Sequence, residues 1–239
     1  MIGFKVQDFG IGCDAKSCTL NPEPFRSIHL RTSTFVLHPS MNSPSGKLVI
    51  ISGPSGVGKS TVVKQLLQDC ELPLCLSVSA TTRQPRQGEE EGKDYYFLQL
   101  DEFQRRREAG EFLECFEPYG NGIWYGTLRE TVATGVTAGE WVILEIEVNG
   151  AMEVMKAFSD AITIFILPQS TEQLKEQLAG RGTEDAEATR QRLKRADYEL
   201  SLKDRYRHHV VNTTVPEAVQ EICDILNTYA NRPEGEPTV

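Results

Sequence analysis

The stretch Val49–Thr61 reads VIISGPSGVGKST, and its residue types and spacing could do chemistry on a phosphate. Gly53-Pro54-Ser55-Gly56-Val57-Gly58-Lys59-Ser60 fits Gly-x-x-x-x-Gly-Lys-Ser/Thr, with Thr61 directly after. Glycines let a backbone wrap closely round an anion and turn its N–H groups inward. A helix opening there adds the positive end of its dipole. Lys59 reaches the outer phosphates of a nucleoside triphosphate, and the Ser60 hydroxyl is a ligand for Mg²⁺. The apolar run before the loop and the amphipathic stretch after it are the context this motif needs.

A phosphate loop alone does not say what is done with the nucleotide. Switch proteins and motors carry further motifs, and no NKxD-like guanine-reading box occurs in this chain. A kinase needs a second pocket for an acceptor. SATTRQPRQGEEEGKDYYF, residues 79–97, places Arg83 and Arg86 on a proline-containing loop ahead of Tyr95, and a second tyrosine, Tyr125, follows downstream. Two guanidinium forks and a phenol suit one phosphate group. Read alone, the same residues serve equally well as surface arginines and lobe-core tyrosines.

GPSGVGKST, SVSATTRQPRQGE, GKDYYF, GEFLE, YGT, LEIEVNGA and GRGTEDAEATRQRL occur in this order and spacing. As an ordered set covering about residues 46–230 they resemble guanylate kinases, P-loop enzymes that phosphorylate GMP with ATP. The resemblance implies a three-layer α/β fold with a central parallel sheet, an inserted mixed α/β lobe that binds GMP, and a helical lid. It implies ATP at residues 53–61, with Mg²⁺ held through Ser60. Arg83, Arg86, Tyr95 and Tyr125 would hold the GMP phosphate, while Ser79, Glu114 and Thr127 would face guanine. Glu147 would touch the acceptor nucleotide or the Mg²⁺ shell. Lys59, Arg83, Arg181 and Arg192 would be catalytic, the last two as lid arginines over the ATP phosphates. Chemistry supports Glu114 in its role. A carboxylate accepts from both N1–H and N2–H of guanine, whereas adenine presents a bare acceptor there. Such a mismatch discriminates on the order of 10⁴-fold.

Three places depart from the family pattern. The acid-x-acid pair ends in Glu147 where the family has Asp. Gly120 to Gly126 is two residues longer than usual, which bears on the aim of Tyr125 and Thr127. The late VNDD is VNTT, Val211–Thr214, which bears on a helix cap more than on chemistry.

These residues need elements to place them. KLVIIS, LCLSVSA, WVILEIEV, AITIFILP and HHVVN read as buried strands. Helical patterns cover Lys59–Cys70, with Val62, Val63, Leu66 and Leu67 on one stripe, and Val215 to about Ala230. Leu193, Ala196 and Leu200 form the apolar stripe of the arginine-rich segment, leaving Arg192 and Arg195 off the core; a solvated helix face is the alternative reading for both, and Arg195 is not counted among the site residues. Strands alternating with helices predict a parallel sheet covered on both faces. The expected division is a core at 46–78 and 128–230, an insert at about 79–127 and a lid at about 180–195. Residues 1–45 read as a poorly ordered leader and 231–239 as a flexible tail. A chain starting at Met41 would place the first strand a few residues in. Residues 1–40 are thus either an upstream extension of the reading frame or a real N-terminal tail.

The chain has 239 residues, 39% hydrophobic and 25% charged, with a net charge of −9. That is the composition of an ordinary soluble globular protein. The acidic balance argues against a nucleic-acid or anionic-membrane binder, and a few arginines in a cleft suffice for a small anionic substrate. Six cysteines without C-x-x-C pairs read as reduced thiols of a cytoplasmic protein. No run approaches the length of a transmembrane helix. Oligomeric state is not legible at this level.

Overall fold

The computed structural model describes residues 46–118, 120, 122–174 and 186–231, with the backbone alone at 186–189. The expectations for the leader, for Arg181 and for the tail beyond Asn231 lie outside them.

A five-stranded parallel sheet forms the centre, in the order β2-β7-β1-β8-β9. Its strands are β1 (Leu48–Ser52), β2 (Leu74–Leu76), β7 (Trp141–Glu145), β8 (Ile162–Pro168) and β9 (His208–Asn212). β1 is buried along its whole length, as a strand covered on both faces must be. Val49 and Ile51 point to one layer, where α1 (Lys59–Asp69) and α6 (Val215–Ala230) pack. Leu48 and Ile50 point to the other, which is closed by α3 (Arg129–Thr137) and α4 (Val148–Ala157). α6 buries Ala218, Val219, Ile222, Cys223 and Leu226, one helical stripe. Thr214 caps its first turn by accepting from the Glu217 N–H, and a proline sits in that turn. Of the two threonines in Val211–Thr214, Thr214 is thus the cap, while the Thr213 hydroxyl donates to the Glu217 carboxylate.

A second sheet of four short strands, in the order β4-β3-β6-β5, lies in residues 80–128. It comprises β3 (Ala80–Thr81), β4 (Tyr96–Phe97), β5 (Phe112–Phe116) and β6 (Tyr125–Leu128). LCLSVSA is therefore two strands and not one. Ser77 still bonds the Ile143 carbonyl, but Ala80 already pairs with Gly126 in the other sheet. α2 (Leu100–Glu108) covers this sheet with Phe103, which stacks on Phe112 at 4.5 Å between centroids. Asp101 and Glu102 open α2, and Arg105, Arg106 and Arg107 close it, matching its dipole at both ends. A further helix, α5 (Ala186–Ser201), lies in the chain between β8 and β9.

Candidate active site

The phosphate loop leaves the C-terminal end of β1, the strand at the middle of the parallel sheet. Ligands of open α/β sheets bind at such ends. Gly53 has φ of +150°, and a Cβ there would lie 2.4 Å from the Ile166 carbonyl oxygen, so no larger residue fits against β8. Gly58, at φ +92°, turns the chain into α1. The side chain of Asn212, at the end of β9, donates to the Val57 carbonyl at 2.8 Å and pins the loop from the far side. Lys59 donates to the carbonyls of Gly53 and Pro54 at 2.7 and 3.1 Å, folding its ammonium over the loop. Burial lowers its pKa, against the pull of Glu145, Glu199 and Glu147. The Ser60 hydroxyl donates to the Glu145 carboxylate at 2.5 Å. Glu145 ends β7, next to β1, and the acid at the end of an apolar strand was its signal in the sequence.

Most of the residues that the resemblance assigns to the acceptor gather in and around the second sheet. Glu114 is only 7% exposed and accepts from the Thr127 hydroxyl at 2.7 Å. A bulge in β5 between Phe112 and Glu114 sets this register, bringing Glu114 opposite Thr127 rather than Gly126. Burial pushes the Glu114 pKa up to about 7, against the Thr127 hydrogen bond. Arg83 forms a two-pronged pair with Glu89, at 2.7 and 2.9 Å, and stacks over the Tyr95 ring at 5.1 Å. Tyr95 and Tyr125 meet edge to face at 5.9 Å. The Arg83 Nε is buried without an acceptor among the described residues. Glu89 was not singled out in the sequence. Its hydrogen bonds with Arg83 and the Arg86 N–H hold its pKa down at about 2. Arg86 is exposed and meets Glu89 through its backbone, its N–H donating to the Glu89 carboxylate and its carbonyl accepting from the Glu89 N–H at 3.1 Å. Ser79 is half-buried, with its carbonyl accepting from Tyr96 N–H at 2.9 Å.

The longer turn before Tyr125 is absorbed by Trp124. Thr82 and Trp124 bond each other through the Thr82 N–H and hydroxyl, at 3.0 and 2.9 Å. The Trp124 ring packs between Phe103 and the Arg107 guanidinium. Tyr125 therefore enters β6 opposite Thr81 and Phe116, with the extra residues outside the ladder.

Glu147, at the start of α4, is paired with Arg195 of α5. Arg195 is 14% exposed, so it does not lie on a solvated helix face. Burial raises the Glu147 pKa, and Arg195 opposes that shift. The sequence carried one signal for Arg195, its spacing of four residues from Glu199 on a helix. Arg192 is half-buried on the same helix.

A phosphate loop at the centre of a parallel sheet, beside a small sheet carrying an arginine–tyrosine group and a buried carboxylate, defines a P-loop nucleotide kinase. The sequence pattern of the guanylate kinase family matches residues 45–229. The guanylate kinase of Rhodopirellula baltica is 51% identical over 197 residues, 78% of this chain and 94% of that protein. The guanylate kinase of Clostridium acetobutylicum is 45% identical over 184 residues, 77% of this chain and 86% of that one. The crystal structure of guanylate kinase from Anaplasma phagocytophilum superposes with a TM-score of 0.65 at 33% identity, covering 80% of this chain and 89% of that chain. The chain belongs to the guanylate kinase family.

Proposed function

We propose that the chain transfers the γ-phosphoryl group of ATP to GMP or dGMP, giving ADP and GDP or dGDP, as a step of purine nucleotide metabolism in the cytoplasm. The buried Glu114–Thr127 pair carries this reading. It offers a carboxylate to two adjacent donors of the base, and guanine has them. Ser79 and Thr127 face the base beside Glu114. Arg83, Arg86, Tyr95 and Tyr125 hold the acceptor phosphate, and Glu147 lies on the acceptor side. Residues 53–61 bind ATP, with the N–H groups of the first turn of α1 directed to its phosphates. Arg192 and Arg181 are assigned to the ATP phosphates by the resemblance. In this reading residues 79–127 form the acceptor lobe and the rest of 46–230 the core.

Phosphoryl transfer depends on positioning and charge neutralisation, so no general base is required. Lys59 neutralises charge at the donor phosphates. The Arg83 guanidinium, fixed in orientation by Glu89 and the tyrosine rings, aims the acceptor phosphate. The Ser60 hydroxyl and Glu145 carboxylate are hard oxygen donors in direct contact, which fits Mg²⁺. When bound, the ion supplies further charge neutralisation at the donor phosphates.

The test is Glu114→Ala. Its kcat/KM for GMP is expected to fall at least about 100-fold, the scale of a lost charged hydrogen-bond pair, while ATP binding stays within about threefold. Equal losses with GMP and AMP would contradict the assignment of Glu114 to the base.

A further inference from the structure

Arg195 donates hydrogen bonds to three different parts of the described chain. Its Nε donates to Glu199 at 3.0 Å, one turn along α5. One Nη donates to Glu147, at the start of α4. The other donates to the Pro118 carbonyl, just past β5. The guanidinium also lies over the Phe116 ring at 5.3 Å. Glu199 is 3% exposed, and its second oxygen accepts from the Ser55 N–H of the phosphate loop at 2.9 Å. Two charged side chains thus join the acceptor lobe and Glu147 to the loop, through α5.

We propose that Arg195 is a positioning residue that couples occupancy of the acceptor site to the conformation of the phosphate loop. The proposal rests on the assignment of Glu147 and the second sheet to the acceptor and of residues 53–61 to the donor. An acceptor that shifts Glu147 or the Phe116–Pro118 segment pulls on the guanidinium. The guanidinium is held rigidly to Glu199, which holds the Ser55 N–H. After Glu145, Glu199 and Glu147 also act on the Lys59 ammonium, so their placement by Arg195 bears on the charge around that group. A planar fork is needed to engage three acceptors in three directions, and a lysine ammonium on a flexible stem cannot replace it. Removing the cation altogether leaves two carboxylates facing each other near the loop.

The experiment is calorimetric binding of ADP with Mg²⁺ to the full chain, with and without saturating GMP, for the natural protein, Arg195→Met and Arg195→Lys. Thermal melting of each is recorded alongside. In the natural protein GMP is expected to tighten ADP at least about fivefold, within the usual range of coupling between sites. Both variants are expected to reduce that factor below about twofold. Arg195→Lys is expected to do so while melting as a folded protein, with kcat lowered more than either KM is raised. Three results would overturn the proposal: natural coupling in either variant, no coupling in the natural protein, or an Arg195→Lys chain that does not fold, which would make Arg195 a stability residue. Failure of the natural protein to bind GMP at all would instead overturn the functional reading on which the proposal rests.

Discussion

Glu114 is a carboxylate held out of water by its own sheet and kept from full ionisation by that burial. Its pKa of about 7 lies above the ordinary carboxylate value of 4.5. The folded chain therefore holds a proton there that the unfolded chain has lost, between about pH 4.5 and 7. The stability attached to this group is present below pH 4.5 and is lost as pH rises through 7. Replacing Glu114 by Gln removes that loss. At pH 8 the Glu114→Gln chain is expected to exceed the natural one in stability by up to about 3 kcal/mol, with the gap closing toward pH 5. Urea melts at both pH values measure it, and a gap independent of pH would contradict it. In the role proposed for it the same group must be ionised to accept from guanine, so GMP binding near pH 6.5 is expected to release protons into the buffer. Calorimetry in two buffers of different ionisation heat reads that release directly. The loop motif is legible in the sequence by its spacing alone, whereas the arginine pair read alone is ambiguous and Glu114 enters through the family resemblance. The partner of Arg83 was not legible, because Glu89 looks like one of three consecutive acids, and only geometry picks it out.

Elements decide whether those side chains meet. α4 packs against β5, and its first turn carries Gly150, where a Cβ would lie 2.5 Å from a Glu114 carboxylate oxygen. Gly150→Ala puts a methyl group into the space the carboxylate occupies. The helix itself gains from alanine, by about 1 kcal/mol in an exposed setting. The expected result is a folded protein whose KM for GMP rises about tenfold while its KM for ATP changes little. Steady-state kinetics with each substrate varied in turn would show it, and equal rises in both would indicate general damage to the sheet. The strands of the central sheet were readable because each is an unbroken apolar run. The bulge that sets Glu114 opposite Thr127 was not readable, since one extra residue in a strand leaves no mark on the hydrophobic pattern. The break within residues 74–81 was hidden for a similar reason: both halves are strand-like, and only the sheet they join differs.

At the scale of the whole molecule, the phosphate loop and the group around Glu114 and Arg83 are built on separate sheets, and α4 and α5 hold them together. Arg195 does not stand out in the sequence as a site residue because its partners Glu147 and Pro118 lie 48 and 77 residues away in the chain, which no helical wheel displays. Among the described residues no helix is long and apolar enough to cross a membrane. The central claim is that this assembly phosphorylates a guanine nucleotide in preference to other bases. It is tested most directly by coupled measurement of ADP release from the full chain with ATP, Mg²⁺ and each nucleoside monophosphate in turn. Rapid turnover is expected with GMP and dGMP, with kcat/KM for AMP lower by on the order of 10⁴-fold. Comparable turnover with AMP and GMP, or binding of GMP without any ADP release, would contradict it.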